Sequence, residues 1–344
     1  MTYYAGIDVS LAESSICVVD ANGKIIREAK VASDPESLAV YFRKIGLAIS
    51  RIGLEAGSLS QWLHEGLTRV GFDVVLLETR HVKAALSAMV VKTDRKDARG
   101  IAQLLRMGWF QPVHAKSMGT RDMRALLTAR KLLQSKLIDV ELSIRGILRD
   151  FGLKMGKISK GKFEARVLEL VEGHRLLAEI MAPMLRVRET LRKEFTALHR
   201  QVLAIARACP ITRRMMTAPG VGPVVALTVK SGIDDPYRFK RSKMVGAHFG
   251  MTPRKYQSGE IDVNGGISRI GDVTVRTALY QAAHVILSHT TPYSSLKSWA
   301  MQVAKRRGLQ RAKIACARKL AIILHRMWID ETDFRWGKEL TAAS

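Results

Sequence analysis

The sequence predicts an α/β domain built on a mixed sheet, then a pair of long helices, then an α-rich C-terminal domain. Three observations predict it. Strand-like segments joined by hairpin signals give way to alternating helical and strand-like segments over the first third. Apolar residues at helical spacing run through the lysine- and arginine-rich middle, and glycine-punctuated apolar segments follow Pro210. A length of 344 residues fits two or three domains, with expected limits of 1–117, 118–208 and 209–344.

In the first domain, Tyr3 to Ser10 and Ser15 to Asp20 read as strands, and Asn22-Gly23 between Val19 and Ile25 is a hairpin signal leading to a third strand through Ala32. Pro35 opens a helix to about Ile49. Arg51 to Glu55 is a short strand, Ser58 or Ser60 caps a helix to about Val70, and Asp73 to Glu78 is another strand. Helices follow near His81 to Met89 and from Asp94 to Met107, where Ile101, Leu104 and Leu105 keep helical spacing. From 118 to 208, Leu126 to Ile144 and Ala165 to Ala206 predict two antiparallel helices, with a glycine- and lysine-rich loop at 152–161 between them. The last domain ends in an amphipathic helix from Gln310 to Trp328.

Charge narrows the function. The chain has 56 Lys+Arg and 31 Asp+Glu, a formal net charge of +25, and 47% hydrophobic residues. That is enough apolar material for cores, which excludes a disordered basic tail, and so large an excess of cations points to a polyanionic partner, nucleic acid first. The excess is +3 over residues 1–117, +9 over 118–210 and +13 over 211–344. Phosphate contact is therefore expected in the middle and C-terminal parts, and metal chemistry in the first. Cys17, Cys209 and Cys316 are far apart and lack metal-ligand spacing, which argues against a disulfide framework or zinc cluster and for a reducing compartment. No signal-peptide pattern or long apolar span stands out, so a cytoplasmic location is expected.

Four acids stand out in the first domain. Asp8 interrupts an apolar strand, Glu55 ends the strand Ile52-Gly53-Leu54, and Asp94 and Asp97 lie three apart at a helix start, on one helical face. A carboxylate inside an apolar strand is costly unless paired or bound to metal. Carboxylates from two strands and a helix start can converge on Mg²⁺, or on Mn²⁺ in its place, and a pair of such ions clamps a scissile phosphate. Asp94 and Asp97 also suit a helix N-terminus without any metal, because the macrodipole favours acids there. Lys92, Arg95, Lys96 and Arg99 beside them read as phosphate ligands or as a solvated face.

The segments GIDVS (6–10), GLEAG (53–57) and KTDRKDARGIAQLL (92–105) resemble the Asp-Glu-Asp-Asp signature of the insertion-sequence-110 family of transposases. APGVGPVVAL (218–227) and GMTPRKYQSGEIDVNGGISRIGD (250–272) resemble that family's C-terminal domain, so the likeness spans about residues 3 to 290. The resemblance implies a RuvC-like, ribonuclease H-type first domain with Asp8, Glu55, Asp94 and Asp97 as metal-binding catalytic acids, and Ser258 as nucleophile. It further implies an RNA-guided recombinase that binds a noncoding RNA, assembles as a dimer and then a tetramer, and joins element and target DNA through a phosphoserine link.

Other C-terminal residues have chemistry of their own. Pro219-Gly220-Val221-Gly222-Pro223 has the form of a helix-hairpin-helix turn, in which Gly220 and Gly222 let a phosphate approach free backbone N–H groups; a plain helix junction is the alternative. Arg254, Lys255 and Arg269 surround Ser258 with positive charge, and Gly259, Gly265 and Gly266 predict a pliable loop there. A serine needs such activation to attack. Tyr256 is a rival nucleophile. Lys305, Arg306 and Arg307, followed by Arg311 and Lys313, form a basic cluster suited to phosphate. Two other readings stay open: a metal-dependent nuclease that uses water, and a basic nucleic-acid scaffold whose acids are structural.

Overall fold

The computed structural model describes residues 1–87, 93–289 and 292–337, and its two compact units are Met1–Lys116 and Ser117–Ser344.

In the first unit, β1 (Tyr3–Asp8), β2 (Glu13–Asp20) and β3 (Ile25–Ala32) are followed by α1 (Pro35–Lys44), β4 (Ile49–Glu55), α2 (Ser60–Arg69), β5 (Val74–Leu77), α3 (Thr79–Leu86), α4 (Asp94–Arg106) and the short β6 (Pro112–Val113). The six strands form one mixed sheet in the order β3-β2-β1-β4-β5-β6. The hairpin pairs β1–β2 and β2–β3 are antiparallel, β1–β4 and β4–β5 are parallel, and β6 closes the far edge antiparallel to β5.

The central strands of the sheet are buried on both faces. Ala5 and Ile7 of β1 and Ile52 and Leu54 of β4 join a core with Leu38 and Phe42 of α1 and Leu63 and Leu67 of α2. The alternate residues face α4. A Cβ on Gly6 would stand 2.2 Å from the Ala98 carbonyl oxygen, and one on Gly53 would collide with Leu105. These two glycines, which pair across β1 and β4, allow α4 to lie directly on the sheet. The helix α1 ends earlier than its apolar pattern predicts because Gly46 takes φ +65°, which leaves Ile49 free to begin β4. The two-residue β6 carries no sequence signal of its own. Met89 and Lys92 lie outside the described residues.

The second unit begins with α5 (Met118–Asp150), α6 (Phe163–Leu170) and α7 (Arg175–Ala208). The run from Ala165 to Ala206, expected as one helix, is divided at Gly173, whose φ of +85° breaks the helical path. The helices α5 and α7 pack antiparallel. Ile144, Leu148, Val167 and Met181 share a core at one end of the pair, and Leu127, Val202 and Ala206 meet Leu227 at the other. Between those cores Arg188 is buried, paired with Glu141 at 2.9 Å and seated 4.3 Å from the Phe163 ring centre. A buried cation with both a carboxylate and an aromatic face is compensated rather than stranded.

Beyond α7 come α8 (Pro210–Met215), α9 (Pro223–Ile233), α10 (Lys243–His248), β7 (Pro253–Ser258), β8 (Ile261–Ile267), α11 (Val273–Ser288), α12 (Ser295–Arg307) and α13 (Leu309–Ile329). Phe249, Val229, Leu279, Leu320 and Leu324 lie in their common core. The segment expected as a pliable loop is an antiparallel ribbon of β7 and β8. Its turn consists of Gly259 and Glu260, with φ +55° at the glycine, a conformation that suits Gly at the first position of a two-residue hairpin turn.

Candidate active site

Strand parity fixes the acidic site. Because Ala5 and Ile7 point to the α1/α2 core, Gly6 and Asp8 point to the α4 side; by the same alternation Gly53 and Glu55 do so on β4. Ile7 and Leu54 are the last register partners of this parallel pair, so Asp8 and Glu55 stand side by side where the two strands end. The close seat of α4 on Gly6 brings its first turn to the same edge. Asp8, Glu55 and Asp97 accordingly line one open cleft of about 480 Å³, with Ser10 and Ser58 among the other lining residues. Ser60 shapes the rim, accepting from the Gly57 N–H at 2.7 Å and donating to the Gly57 carbonyl.

Asp94 is separate from this trio. It is exposed in the first turn of α4 and is not part of the cleft lining. The Thr93 hydroxyl caps that turn by accepting from the Lys96 N–H. Among the described residues no group of three His, Cys, Asp or Glu side chains is already drawn together tightly enough to hold a metal ion. The donor set nevertheless suits Mg²⁺, which prefers oxygen, keeps several waters and binds through one or two carboxylates.

The neighbouring arginines correct an expectation. Arg95 and Arg99 do not present free guanidinium groups to a phosphate, because both are ion-paired with Glu28 on β3. Hydrogen bonds from Arg99 and then Arg95 hold the Glu28 carboxyl far below its ordinary range, at about 2. Their charge ties the edge strand β3 to α4. Lys92 lies outside the described residues.

Ser258 lies in the second unit, at the end of β7 beside the Gly259-Glu260 turn, opposite Ile261. Residues 253–266 are all exposed. Tyr256 pairs with Val263, and period-2 alternation puts Tyr256, Ser258, Ile261 and Val263 on one ribbon face. Lys255 and Asp262 form an ion pair at 3.2 Å. Arg254 donates to the Ser268 carbonyl at 3.4 Å, and Arg269 takes φ +57° while its N–H bonds the Gly250 carbonyl. What the expected loop missed is this ribbon, although Ser258-Gly259 is a turn dipeptide flanked by strand-compatible residues.

The remaining candidates separate by role. Gly220 has φ +72°, and a Cβ there would stand 2.5 Å from the Ala282 carbonyl oxygen of α11, so its packing alone requires glycine. Gly222 has open space around it and caps the start of α9. Lys305, Arg306 and Arg307 are exposed in the last turn of α12, where cations also oppose the helix dipole. Lys313 departs from the expected cluster: it is 7% exposed, its ammonium 6.0 Å from the Tyr280 ring centre.

Residues 5–152 match the DEDD transposase model of the IS110 type, and residues 212–298 match the model of the transposase IS116/IS110/IS902 family. The chain belongs to the IS110 family of transposases. It is similar to the transposase for insertion sequence element IS1111A of Coxiella burnetii, at 29% identity over 96% of this chain and 91% of that protein. A probable family 20 transposase of Pseudomonas aeruginosa is 25% identical over 86% of this chain and 88% of its own length. The transposase for insertion sequence element IS1328 of Yersinia enterocolitica is 24% identical over 79% and 81%. The DEDD match spans Asp8, Glu55, Asp94 and Asp97, and the second match spans the Ser258 ribbon. Among the described residues of this transposase, no helix is long and apolar enough to cross a membrane.

Proposed function

We propose that this transposase cuts and rejoins element and target DNA by serine chemistry supported by a RuvC-like, ribonuclease H-type acidic cleft. The observation that carries the reading is the placement of Asp8, Glu55 and Asp97 around one open cleft at the end of two parallel strands. Asp8 and Glu55 would hold a divalent cation, Mg²⁺ or Mn²⁺, with Asp97 across from them and Asp94 recruited from the same helix turn. Such an ion neutralises phosphate oxygens and lowers the cost of charge developing on the scissile group. Ser258 Oγ attacks phosphorus, its proton passes to solvent or to a cleft carboxylate of another copy of the chain, as the family resemblance implies, and the displaced sugar oxygen leaves as a hydroxyl. The phosphoserine ester keeps the bond energy, so a partner hydroxyl restores the DNA without ATP. Arg254 and Lys255 share the strand with Ser258, but Lys255 is held by Asp262 and Arg254 by the Ser268 carbonyl, so activation of the hydroxyl is assigned to the cation and carboxylates of the acidic cleft.

The family resemblance extends the proposal to a noncoding guide RNA and to a dimer that assembles to a tetramer. The excess of +9 and +13 over the last two sequence segments supports a second polyanion beside DNA. Lys305, Arg306 and Arg307 are proposed contacts, as are the backbone N–H groups at Gly222.

The test is a denaturing gel of protein incubated with labelled element DNA and Mg²⁺. A covalent protein–DNA band is expected, lost in Ser258→Ala and kept in Tyr256→Phe. Asp8→Asn and Glu55→Gln are expected to cut by at least about 10²-fold less, as for removal of a group that stabilises transition-state charge. A band that survives Ser258→Ala overturns the serine assignment. A second reading, hydrolysis by water in the acidic cleft, is favoured by three of the acids meeting within one unit; cutting without any covalent band would establish it.

A further inference from the structure

We propose that the groove between the base of the Ser258 ribbon and α13 seats an unpaired stretch of the DNA strand undergoing cleavage. This inference rests on the reading that Ser258 attacks DNA.

The groove has a volume of about 680 Å³, the size class that admits a nucleotide-sized group and not a duplex. Its cations are Lys243 of α10 with Arg311, Arg318 and Lys319 of α13, and no carboxylate among the described residues lines it. Among the described residues none of the four is ion-paired. That contrasts with Arg95, Arg99, Arg124 and Arg188, each of which has its acid. Four cations without an acid partner lining one concavity repel one another and are relieved by an anion that spans them. Arg311, Ile314, Arg318 and Ile322 follow the spacing i, i+3, i+7 and i+11, which puts them in one stripe along α13. The two arginines are about 10 Å apart along its axis, and a polymeric anion meets both where a single small anion cannot.

The rest of the lining favours a strand with bases over an acidic peptide. Trp299 with Ile314 and Ile322 supplies an apolar surface, and the Trp299 ring lies 4.1 Å from the Lys319 ammonium. Cations alternating with aromatic and aliphatic surface are how proteins hold single strands, phosphates on the charges and base faces on the apolar groups. The choice of DNA comes from the groove's wall. Pro253 and Ile267, the register pair at the ribbon's base, line it, and Ser258 lies five strand residues further on, about 17 Å away. A strand that leaves the groove along the ribbon therefore runs toward Ser258.

The test uses the full chain and an oligothymidylate, followed by tryptophan fluorescence and by anisotropy across a salt series. Lys243 and Arg311 are both exposed, so Lys243→Gln with Arg311→Gln is expected to leave the melting temperature unchanged. The slope of log affinity against log salt should shrink by about 1.4, at roughly 0.7 per phosphate released, and part of the fluorescence quenching should vanish in Trp299→Phe. An unchanged slope in the double variant overturns the proposal. So does duplex DNA that quenches as strongly as the single strand, or a ribonucleotide oligomer that shows the same groove dependence and binds more tightly. Ser258→Ala is expected to bind with the wild-type slope. Strand exchange surviving in Ser258→Ala would remove the serine reading, whereas the slope in the double variant decides the groove.

Discussion

Gly6 determines whether the acidic cleft exists at all. With the Ala98 carbonyl oxygen 2.2 Å from the place of a Cβ, Gly6→Ala must lift α4 from β1 and carry Asp97 away from Asp8. Overpacking of this kind costs about 1–3 kcal/mol, so thermal melting should show the loss and DNA cutting should fall with it. A variant with unaltered melting and activity would show that α4 need not sit so close. Glu28 gives a prediction in pH. Its folded-state carboxyl is held at about 2 by Arg99 and Arg95, below the ordinary 4.5, so the stabilisation is whole above pH 4.5 and disappears as pH falls toward 2. Melting temperature should drop over that window in the wild type, and the drop should be smaller in Glu28→Gln. Asp8 and Glu55 were legible in the sequence because acids at the ends of apolar strands violate the pattern around them. That Asp97 and not Asp94 lines the cleft was not legible, since both share a helix turn and only packing on Gly6 selects between them.

At the scale of elements, the strongest local signals matched the structure: Asn22-Gly23 for the β2–β3 hairpin, Pro35 for α1, and the spacing of Ile101, Leu104 and Leu105 for α4. Ends set by glycine conformation, at Gly46 and Gly173, were misplaced because apolar periodicity continues through them. The β7–β8 ribbon was missed for a different reason, as nearly all its side chains are exposed and no in-out alternation marks it. One long-range tie also had no local signal. Asp234, at the end of α9, accepts from the Ser117 N–H at 3.0 Å, the Ser117 hydroxyl at 2.7 Å and the Thr120 hydroxyl at 2.5 Å. It thus adds negative charge to the N-terminus of α5. Asp234→Ala is expected to cost about 2 kcal/mol or more, from hydrogen bonds to a charged group and a weakened helix start. Urea denaturation measures this, and a change below about 0.5 kcal/mol, the range of ordinary surface substitutions, would show that the tie is idle.

For the whole chain, the net charge of +25 sets the response to its surroundings. Self-repulsion among excess cations weakens the folded state, and both salt and a bound polyanion relieve it. The melting temperature should therefore rise with ionic strength from low salt and rise further with single-stranded DNA at low salt. A fall on adding either would mean that the cations are already neutralised internally. The sequence alone was enough for this point, because composition needs no fold to be read.

The ribbon that carries Ser258 has one more consequence. From Arg254 to Gly266 no side chain is buried in the interior of the second unit, so substitutions there do not disturb what keeps that unit folded. Outside Ser258 and Gly259, the sequence of this stretch can therefore diverge at little cost to the core beneath it.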